Sequence, residues 1–534
     1  MVWQRWYTRA FFSLALVVAV IISAGGPASH ATSVSGARSQ ASGGTMIGGF
    51  DVGPSGSPEV FNPLTDGAGY TWLMEYFSPL LTYDVTFTKL QGELASSWDI
   101  ASNGLRYTFH LRPGVKWHDG QPFTSKDVQF TLNLVMNPAS ASAYASRFAD
   151  VTSVTAPDPQ TVVITLRQPD AALLDALTFI VMVPQHQLGS IAPKNLVKSN
   201  IWYTHPIGTG PFEWDKYVTG QYVELKANPN YWRGRPKLDF LINRYFKDPS
   251  SALIALRAGE IQFTYVSASD ASTLRNDPNL RVISAPSQIL NYLGFNLRDP
   301  RFQDIRVRQA IMYAIDRQAI VKDVLKTGMV AACDFSNPAY IPSDVNSYAQ
   351  NVAKAKALLQ QADWAHFHGA PIEIDTYYSD TTNDNALAVM QQELAQVGIS
   401  VTIRVVDNVT FGQISSSTHW HMVYTGALTG PDPDAVGIYL LSRDTPPNGI
   451  NLDHVNLPAV DQGFAQGRRE TNAAKRALYY QDVCRSINAQ VPIGPMWIQN
   501  RFGAVSKKVQ NFVWTPAPGG GRYYQDAQDW SMSS

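Results

Sequence analysis

The chain of 534 residues is longer than one hydrophobic core supports, so about three structural units are expected. Hydrophobic residues make up 45% and aromatic residues 11%, which is typical of a folded protein and excludes a largely disordered chain. The 42 lysines and arginines nearly balance the 43 aspartates and glutamates, so the chain lacks the basic character typical of nucleic-acid-binding proteins. Nucleic acid is therefore not expected as a partner.

The N-terminus has the pattern of a secretory signal. Arg5 and Arg9 precede an apolar run over residues 10 to 24, which Gly-Gly-Pro then interrupts. We expect a Sec-type signal peptide over residues 1 to 31, with an uncleaved membrane anchor as the alternative. Residues 32 to 44 are small and polar, as in a flexible tether. Because no cysteine follows the apolar run, a lipoprotein is not expected. The predicted location is extracytoplasmic, in a periplasm or at the outer face of the cell membrane.

A β-hairpin and a capped helix are the first clear elements. Apolar and polar residues alternate on both sides of Asn103 and Gly104, a pair typical of a tight turn. Thr124 and Asp127 form a capping box for a helix that must end before Pro138. The stretch is therefore predicted to be a hairpin, a series of turns and a helix.

Two histidines and an aspartate in this stretch raise the question of a metal or catalytic site. His110 lies on the second arm of the hairpin, and His118 and Asp119 follow in the turns. The two histidines are predicted on opposite sides of a turn, beside elements that need no metal to form. A structural role is therefore expected for them.

Further along the chain, strands give way to alternating helices and strands. Strands are predicted within residues 161 to 169 and 208 to 232, and a helix that leads into a strand within residues 250 to 266. Asp304 is predicted to cap one helix that continues to Gly328. Residues 383 to 398 read as a helix, followed by a strand in which Ile399, Val401, Ile403 and Val405 face one way. Mixed sheets with helices packed on them, in at least two lobes, are expected.

Motifs of common enzymes and metal sites are missing from the sequence. There is no nucleophile elbow, H-E-x-x-H helix, phosphate-binding loop or dinucleotide fingerprint. Two His-x-His pairs, His366 with His368 and His419 with His421, each place two imidazoles on one side of an extended segment. Neither pair has an evident third ligand. No enzyme activity, metal or cofactor is therefore expected, with His419 and His421 as the candidates if a metal binds and an exported hydrolase as the remote alternative.

Only two cysteines are present, Cys333 and Cys484. In an oxidising compartment they could form a disulfide, and the alternative is two buried free thiols. The sequence does not decide between the two, because a disulfide requires a short Cα separation that sequence cannot supply.

The most specific motif is ELASSWDIASNGLRYTFHLRPGVKWHDGQPFTSKDVQFTL, residues 93 to 132. It closely resembles the signature of the family 5 extracellular solute-binding proteins, the peptide, nickel and oligosaccharide receptors of bacterial ABC importers. Five further segments that resemble the family follow in the right order: PIGTGPF (206 to 212), NPNYWRGRPKLD (228 to 239), ALRAGEIQF (255 to 263), LGFNLRDPRFQDIRVRQAIMYAIDR (293 to 317) and GPDPDAVGIYLLS (430 to 442). The resemblance extends from about residue 46 to the C-terminus.

The resemblance implies an α/β fold of the periplasmic-binding-protein type, in its type II, large peptide-binding class. Two lobes joined by a hinge close on the ligand as a clamp, and one lobe carries an extra inserted domain. The implied first lobe comprises residues 45 to 80, 205 to 288 and 496 to 534, the inserted domain residues 81 to 204, and the second lobe residues 289 to 495. The hinge candidates are residues 292 to 297 and 491 to 497. The turn at His118, Asp119 and Gly120 then lies in a lobe that helps to close over the ligand.

Ligand contacts are implied at the ligand-side loop and at aromatic residues. Peptide receptors of the family commonly carry an aspartate four residues before the proline of a D-P pair, where it holds the α-ammonium of the ligand. The pair here is Asp432-Pro433, and Thr429 occupies the matching position, where a hydroxyl cannot replace the carboxylate as a counter-charge. Asp432 either takes over that task or initiates a turn. The aromatic candidates, for which core packing is the alternative, are Tyr70, Trp72, Tyr292, Trp420, Tyr424 and Trp497.

The resemblance thus predicts a monomeric receptor that captures an extracytoplasmic peptide or a similar polar solute. Lobe closure would trap the solute for delivery to a membrane permease pair driven by cytoplasmic ATPases. A receptor for nickel, a metal chelate or an oligosaccharide is the alternative within the same family.

Overall fold

A computed structural model describes residues 43–51, 61–64, 75–142, 144–367, 372–417, 419–446, 450–514 and 524–533. The predicted signal peptide, most of the predicted tether, and Tyr70 and Trp72 lie outside the described residues. Among the described residues, no helix is both long enough and apolar enough to cross a membrane.

The described strands, in chain order, are β1 (Thr45–Asp51), β2 (Leu81–Tyr83), β3 (Leu90–Gly92), β4 (Ala95–Ile100), β5 (Arg106–Leu111), β6 (Val151–Asp158), β7 (Thr161–Leu166), β8 (Phe212–Val218), β9 (Tyr222–Ala227), β10 (Phe240–Phe246), β11 (Phe263–Val266), β12 (Leu280–Phe295), β13 (Met329–Val330), β14 (Ile372–Thr376), β15 (Val401–Val405), β16 (Met422–Leu428), β17 (Ile493–Ser506), β18 (Val509–Gln510), β19 (Val513–Trp514), β20 (Tyr524–Gln525) and β21 (Ser531–Met532).

The described α-helices are α1 (Ser125–Met136), α2 (Leu173–Phe179), α3 (Gln185–Leu188), α4 (Pro193–Leu196), α5 (Ile201–Thr204), α6 (Pro249–Arg257), α7 (Ala268–Leu274), α8 (Pro300–Gln303), α9 (Ile305–Ala314), α10 (Arg317–Ala319), α11 (Val352–Gln361), α12 (Thr381–Gln396), α13 (Asn408–Ser416), α14 (Gly437–Leu440), α15 (Pro458–Arg469) and α16 (Ala473–Gln490). Short 3-10 helices and one π-helical segment, Ile320–Leu325, lie between them.

One large mixed sheet runs through both predicted lobes in the order β15-β14-β16-β12-β17-β11-β1-β10-β9-β8. The two central strands, β12 and β17, are antiparallel partners of 16 and 14 residues and connect the two halves of the sheet. One end of the pair contacts β16, and the other end contacts β11. Their register shifts between Pro286 and Leu290, where Gln288 has a φ of 52°. A bulge with a left-handed residue bends a strand, so this point is suited to a change of direction between the lobes.

A separate antiparallel sheet, in the order β4-β5-β7-β6, belongs to the predicted inserted domain. Its first hairpin turns at Gly104 with a φ of 68°, which confirms the predicted tight turn. The Asp127 carboxylate accepts a hydrogen bond of 2.9 Å from the Thr124 N–H, so the predicted capping box at the start of α1 is also confirmed.

Buried apolar residues form separate cores in the two halves of the molecule. One core is continuous from β1 through the inserted domain to β11 and the last strands. The sheet of the second lobe has one core on each face: α9, α11 and α12 cover one face, and α15 and α16 cover the other. The exact boundaries of the lobes and of the inserted domain stay a prediction.

The structure corrects two predictions about local elements. The single helix predicted from Asp304 to Gly328 is wrong, because α9 ends at Ala314 and the backbone is extended at Ile315. Asp316 then caps a new helix by accepting from the Ala319 N–H at 2.9 Å, a competing start signal inside the apolar pattern.

The other correction concerns the first histidine pair. His366 lies in a 3-10 helix, Trp364–Phe367, so the extended segment assumed for the pair with His368 is wrong, and His368 lies outside the described residues. On β15 Val401 is buried and Ile403 packs against the same core, as expected for residues that face one way, and Val405 at the end of the strand is 49% exposed.

Candidate ligand-binding cleft

The turn at His118 is a structural joint. The imidazole Nδ1 accepts a hydrogen bond from the Gly208 N–H at 3.1 Å, and Nε2 donates to the Gly210 carbonyl at 3.1 Å. Burial lowers the pKa of His118 to about 4, so the ring is neutral and both of its nitrogens are used. His118 therefore fixes the inserted domain to residues 208–210 of the first lobe, as a scaffold residue would.

A charged cluster on the inserted domain faces the second lobe. Asp175, on α2, accepts from the Tyr83 hydroxyl at 2.9 Å and from the Arg147 guanidinium at 3.3 Å. The Arg147 guanidinium also lies 4.3 Å from the centre of the Phe179 ring. Burial, and then the charge of Asp432 in the second lobe, raise the pKa of Asp175 to about 7. The two carboxylates are therefore within electrostatic reach of each other across the lobes.

On the second-lobe side, a buried ion pair anchors the loop that the sequence predicts to contact ligand. Arg476, on α16, donates to both carboxylate oxygens of Asp432 at 2.6 and 2.8 Å and to the Gly467 carbonyl at 3.0 Å. Burial alone would lower the pKa of Arg476, but the paired carboxylate raises it well above its usual range. Tyr340 lies close to this pair, with its pKa raised by burial and then by Asp432. We call the surface formed by Tyr83, Arg147, Asp175, Tyr340, Asp432 and Arg476 the interlobe interface.

A second ion pair continues the interlobe interface towards solvent. Arg468 pairs with Asp434 at 2.5 Å, and its backbone carbonyl accepts from the Ala171 N–H of the inserted domain at 2.7 Å. Burial raises the pKa of Asp170 to about 7, while Arg468 opposes that rise. The Arg469 guanidinium reaches the Gln168 side chain at 3.0 Å. A cavity of about 280 Å³ lies between these two walls, so the inserted domain and the second lobe touch around a polar space.

The structure places the predicted aromatic contacts on different faces of the sheet. Tyr292 is buried on the face that α16 covers, the same side as the buried pair Asp432–Arg476. Tyr424 and Trp497 are fully buried in the core on the opposite face, with ring centres 6.0 Å apart. The Trp420 ring packs in a small separate core with Phe411. Tyr292 lies in the core against which Tyr340 of the interlobe interface packs.

The two polar candidates of the ligand-side loop already have partners within the protein. Thr429 is buried and donates both its N–H and its hydroxyl to the Gln288 carbonyl at 3.0 and 2.9 Å. Asp432 accepts from the Asp434 N–H at 2.9 Å and so caps the short 3-10 helix that begins at Pro433. This is the turn-initiating geometry, combined with the ion pair to Arg476.

The histidine pair of the second lobe lies at the surface. His419 and His421 line a shallow pocket of about 380 Å³ that also contains the cationic side chains of Arg298 and Arg301. His421 Nδ1 accepts from the Glu373 N–H at 3.0 Å, and burial followed by Arg301 lowers the pKa of His421. Among the residues that the structure describes, no three histidine, cysteine, aspartate or glutamate side chains are grouped to hold a metal ion.

The two cysteines are joined in the core of the second lobe. Cys333 and Cys484 form a disulfide with a Cα separation of 5.6 Å, and both are fully buried. The bond ties the segment after β13 to the middle of α16.

Sequence reasoning missed most of the interlobe interface. Arg476 lies in a helix with many polar residues, and its partner Asp432 is in a distant loop, so no local pattern marks the pair. Tyr83, Arg147 and Asp175 belong to three different elements of the inserted domain. The one available signal is a charge at an otherwise apolar position, Asp175 within LLDALTF.

The two long central strands β12 and β17 extend one sheet through both lobes, and the inserted domain contacts the second lobe. This architecture is that of a two-lobed solute-binding protein of the periplasmic type. The profile of the bacterial extracellular solute-binding proteins, family 5 Middle, matches residues 89–449. The chain belongs to this family, as the sequence predicts.

Individual relatives support the same assignment over nearly the whole chain. A Brucella melitensis protein, provisionally named an ABC transporter peptide-binding protein, is 46% identical over 496 residues, which cover 92% of this chain and 94% of the relative. The crystal structure of the ABC transporter substrate-binding protein CtaP from Listeria monocytogenes is similar with a TM-score of 0.83 and 26% identity, over 92% of this chain and all of that one. NikZ from Campylobacter jejuni, in complex with Ni(L-His), is similar with a TM-score of 0.81 and 27% identity, over 91% and 99% of the two chains. The predicted fold is thereby confirmed.

Proposed function

We propose that this protein is the receptor of an ABC importer and captures an extracytoplasmic peptide or a similar polar solute. The lobes close around the solute, and the closed receptor delivers it to a membrane permease pair driven by cytoplasmic ATPases. The protein acts as a monomer, needs no cofactor and catalyses no reaction. It is exported by the signal over residues 1 to 31.

The interlobe interface is the observation that carries this proposal. Hydroxyl, carboxylate and guanidinium groups from the inserted domain face a second set of such groups from the second lobe. Such groups hydrogen-bond the amide and carboxylate groups of a peptide while a hinged clamp closes on it. The provisional name of the Brucella melitensis relative, at 46% identity, favours a peptide over other solutes.

We propose that the solute lies between the interlobe interface and the loop that contains Thr429. Tyr292 and Asp432 border this space from the second lobe, and Arg147 borders it from the inserted domain. Tyr424 and Trp497 support the second-lobe sheet from its opposite face rather than contacting the solute.

Native mass spectrometry of the protein, purified gently from an exporting host, tests the ligand class. A heterogeneous set of bound masses that fragment as peptides is the expected result. A single sugar mass, or a protein with no bound mass that also fails to bind an added peptide panel, would contradict the proposal.

A nickel-chelate receptor is the second candidate, because the similar NikZ structure holds Ni(L-His) and because His419 and His421 share one pocket. The pair has no third ligand grouped with it among the described residues, and Arg298 beside it opposes a cation, so this candidate ranks second. The test is a titration with Ni²⁺ and L-histidine of the wild type and of the H419A/H421A variant. Equal heats for both proteins would remove this pair of residues from consideration.

A further inference from the structure

Two buried acids in the second lobe have no counter-charge among the residues that the structure describes. Asp334 is 2% exposed and Asp453 is 1% exposed. Within the described part of the chain, neither oxygen of Asp334 has a hydrogen-bond partner, and Oδ1 of Asp453 has none. Buried carboxylates are normally paired or fully hydrogen-bonded, because removing such a charge from water is costly. This pair is therefore an exception that needs a physical account.

The fold leaves room for one of these acids on the face of the central sheet. Gly294 and Tyr292 point to the same face of β12, since side chains alternate along a strand. A Cβ atom at Gly294 would lie 2.5 Å from Oδ1 of Asp453, so any side chain at this position would displace the carboxylate. Glycine at this position thus admits the Asp453 carboxylate beside Tyr292.

The other acid is held in place by its neighbours in the chain. Cys333, immediately before Asp334, is bonded to Cys484 on α16. Two residues after Asp334, the Ser336 hydroxyl donates to the Gly430 carbonyl at 3.1 Å. The backbone around Asp334 is therefore held between a disulfide and the loop that carries Thr429. Asp334 lies within electrostatic reach of both Asp453 and Tyr292.

Tyrosine side chains connect the two acids to the interlobe interface. Tyr292 lies within electrostatic reach of Tyr377 and Tyr439 as well as of both acids. The Tyr439 hydroxyl contacts the Leu428 N–H at 3.4 Å, at the end of β16, and lies within electrostatic reach of Arg147 on the inserted domain. A series of polar side chains thus extends from Arg147, between the lobes, through Tyr439 and Tyr292 to the two acids.

The buried Arg317 already hydrogen-bonds backbone carbonyls. Arg317 donates to the carbonyls of Ala331 and Pro495 at 2.8 and 2.6 Å and to the Ser347 carbonyl at 2.6 Å. No cation of the described residues acts on either acid, and burial raises the pKa of Asp334 to about 7. Two neighbouring carboxylates without a cation cannot both ionise at low cost, whereas one cationic group between them would stabilise both charges.

We propose that Asp334 and Asp453, together with Tyr292, form a subsite for a basic group of the transported solute. An ammonium group has three donors and a guanidinium has five, which matches the unpaired carboxylate oxygens, and the Tyr292 ring offers a cation–π surface. The inference rests on the proposed receptor function and narrows it to solutes with an ammonium or guanidinium group. The basic group is either the α-ammonium of a peptide or a basic side chain.

Isothermal titration calorimetry of the exported protein, freed of co-purified solute, tests the subsite. The probes are Ala-Ala-Ala, Ala-Lys-Ala, the N-acetylated form of each, and agmatine, a basic molecule without a peptide bond. The variants are Asp334→Asn and Asp453→Asn, which keep the side-chain shape, and the control is Asp344→Asn, an exposed acid paired with Arg485. A thermal midpoint for each protein establishes that it is folded.

We expect each of the two buried substitutions to lower the affinity for the basic probes by about 10- to 100-fold, because each removes a hydrogen bond to a charged group. The N-acetylated Ala-Ala-Ala probe, which has no basic group, should change by less than about twofold in the same variants. If the substitutions weaken the binding of Ala-Lys-Ala but not of its N-acetylated form, the bound group is the α-ammonium. If they weaken the binding of both forms, the bound group is the lysine side chain. Either result supports the subsite.

Three results would overturn the inference. The first is equal affinity of the wild type for N-acetylated Ala-Ala-Ala and the basic probes, a comparison that holds even if a variant fails to fold. The second is an affinity of the variants for every probe that equals that of the wild type. The third is an equal loss of affinity for all probes in the variants. Binding of agmatine without any peptide would support the subsite and contradict the peptide proposal, whereas peptide binding without basic preference would do the reverse.

Discussion

The His118 side chain and the acidic pair Asp334 and Asp453 are both polar groups within the fold, the first half-buried and the second fully buried, and they differ in how many hydrogen-bond partners they have. Both ring nitrogens of His118 are hydrogen-bonded, and burial keeps the ring neutral. Three of the four carboxylate oxygens of the acidic pair have no partner among the described residues. A buried polar group that is fully hydrogen-bonded stabilises the fold, whereas one that lacks partners marks a place where a ligand group can bind.

This contrast explains why the most conspicuous motif of the sequence is not the site. The stretch around His118 carries the motif that resembles the family signature, and in the fold it joins the inserted domain to the first lobe. The acidic pair has no motif, since its two members come from separate loops and meet only in the folded chain.

The largest predicted effect follows from converting a fully paired group into an unpaired one. Replacing Arg476 with Ala leaves the buried Asp432 carboxylate without its partner, and should lower the free energy of unfolding by about 3–5 kcal/mol. Chemical denaturation monitored by tryptophan fluorescence measures this. The matched control is Arg485→Ala, which removes an exposed pair with Asp344 and should change stability little. Equal effects of the two substitutions would show that burial does not govern these ion pairs.

Removing the disulfide beside the acidic pair is expected to have the next largest effect. The Cys333→Ala/Cys484→Ala double variant should lose about 2–5 kcal/mol of stability, because the bond restricts a long loop in the unfolded chain. The same variant should also lose preference for basic probes, since Cys333 positions Asp334. A double variant that is as stable as the wild type and keeps the preference for basic probes would contradict both expectations, and would show that the disulfide does not position Asp334.

Removing the His118 side chain should lower the free energy of unfolding at neutral pH by less than the two changes above. It should also change how the free energy of unfolding depends on pH. His118→Ala leaves the Gly208 N–H without its partner, which costs about 1–3 kcal/mol. The folded pKa of about 4 lies below the unfolded value, so the wild-type histidine loses about 3 kcal/mol of stability as pH falls from 6.5 to 4.

The difference in unfolding free energy between wild type and His118→Ala, measured across this pH range, isolates that contribution. The gap should narrow as the solution becomes acidic. His110→Ala is the control, because the His110 ring is exposed on the hairpin and pairs with the exposed Asp99 carboxylate. A constant gap between wild type and variant would mean that the His118 ring is not held neutral.

The smallest predicted effect concerns Asp175, which has partners but also faces the carboxylate of Asp432. Its folded pKa of about 7 lies above the unfolded value, so its contribution is complete at low pH and is lost as pH rises through about 7. Asp175→Asn should therefore remove a decline in thermal midpoint between pH 5 and pH 8. Persistence of the full decline in the variant would assign it to another group, such as Asp170.

Local signals in the sequence predict the local structure well. The hairpin at Gly104 and the caps at Thr124 and Asp304 depend on residues close in the chain, and all three are confirmed. The continuous helix after Asp304 failed because a second cap, Asp316, competes with the apolar periodicity. Such competition between two local signals is decided by tertiary contacts, here the hydrogen bond from the Asp316 N–H to Glu393.

The candidate site was much less accessible to sequence reasoning. Alternation along a strand shows that Tyr424 and its neighbours point to opposite faces, but not which face meets the ligand. Arg476 and Asp432 are brought together only by the packing of α16 against the loop. That Asp334 has no hydrogen-bond partner among the described residues is a property of the folded core and leaves no trace in the sequence.

Closure of the lobes on a solute is the central claim, and small-angle X-ray scattering of the solute-free protein during titration with Ala-Lys-Ala tests it most directly. The account predicts that the radius of gyration falls on titration and that the final profile matches the structure described above, in which the inserted domain touches the second lobe. A profile that stays unchanged across Ala-Lys-Ala and a broad panel of other peptides would contradict it.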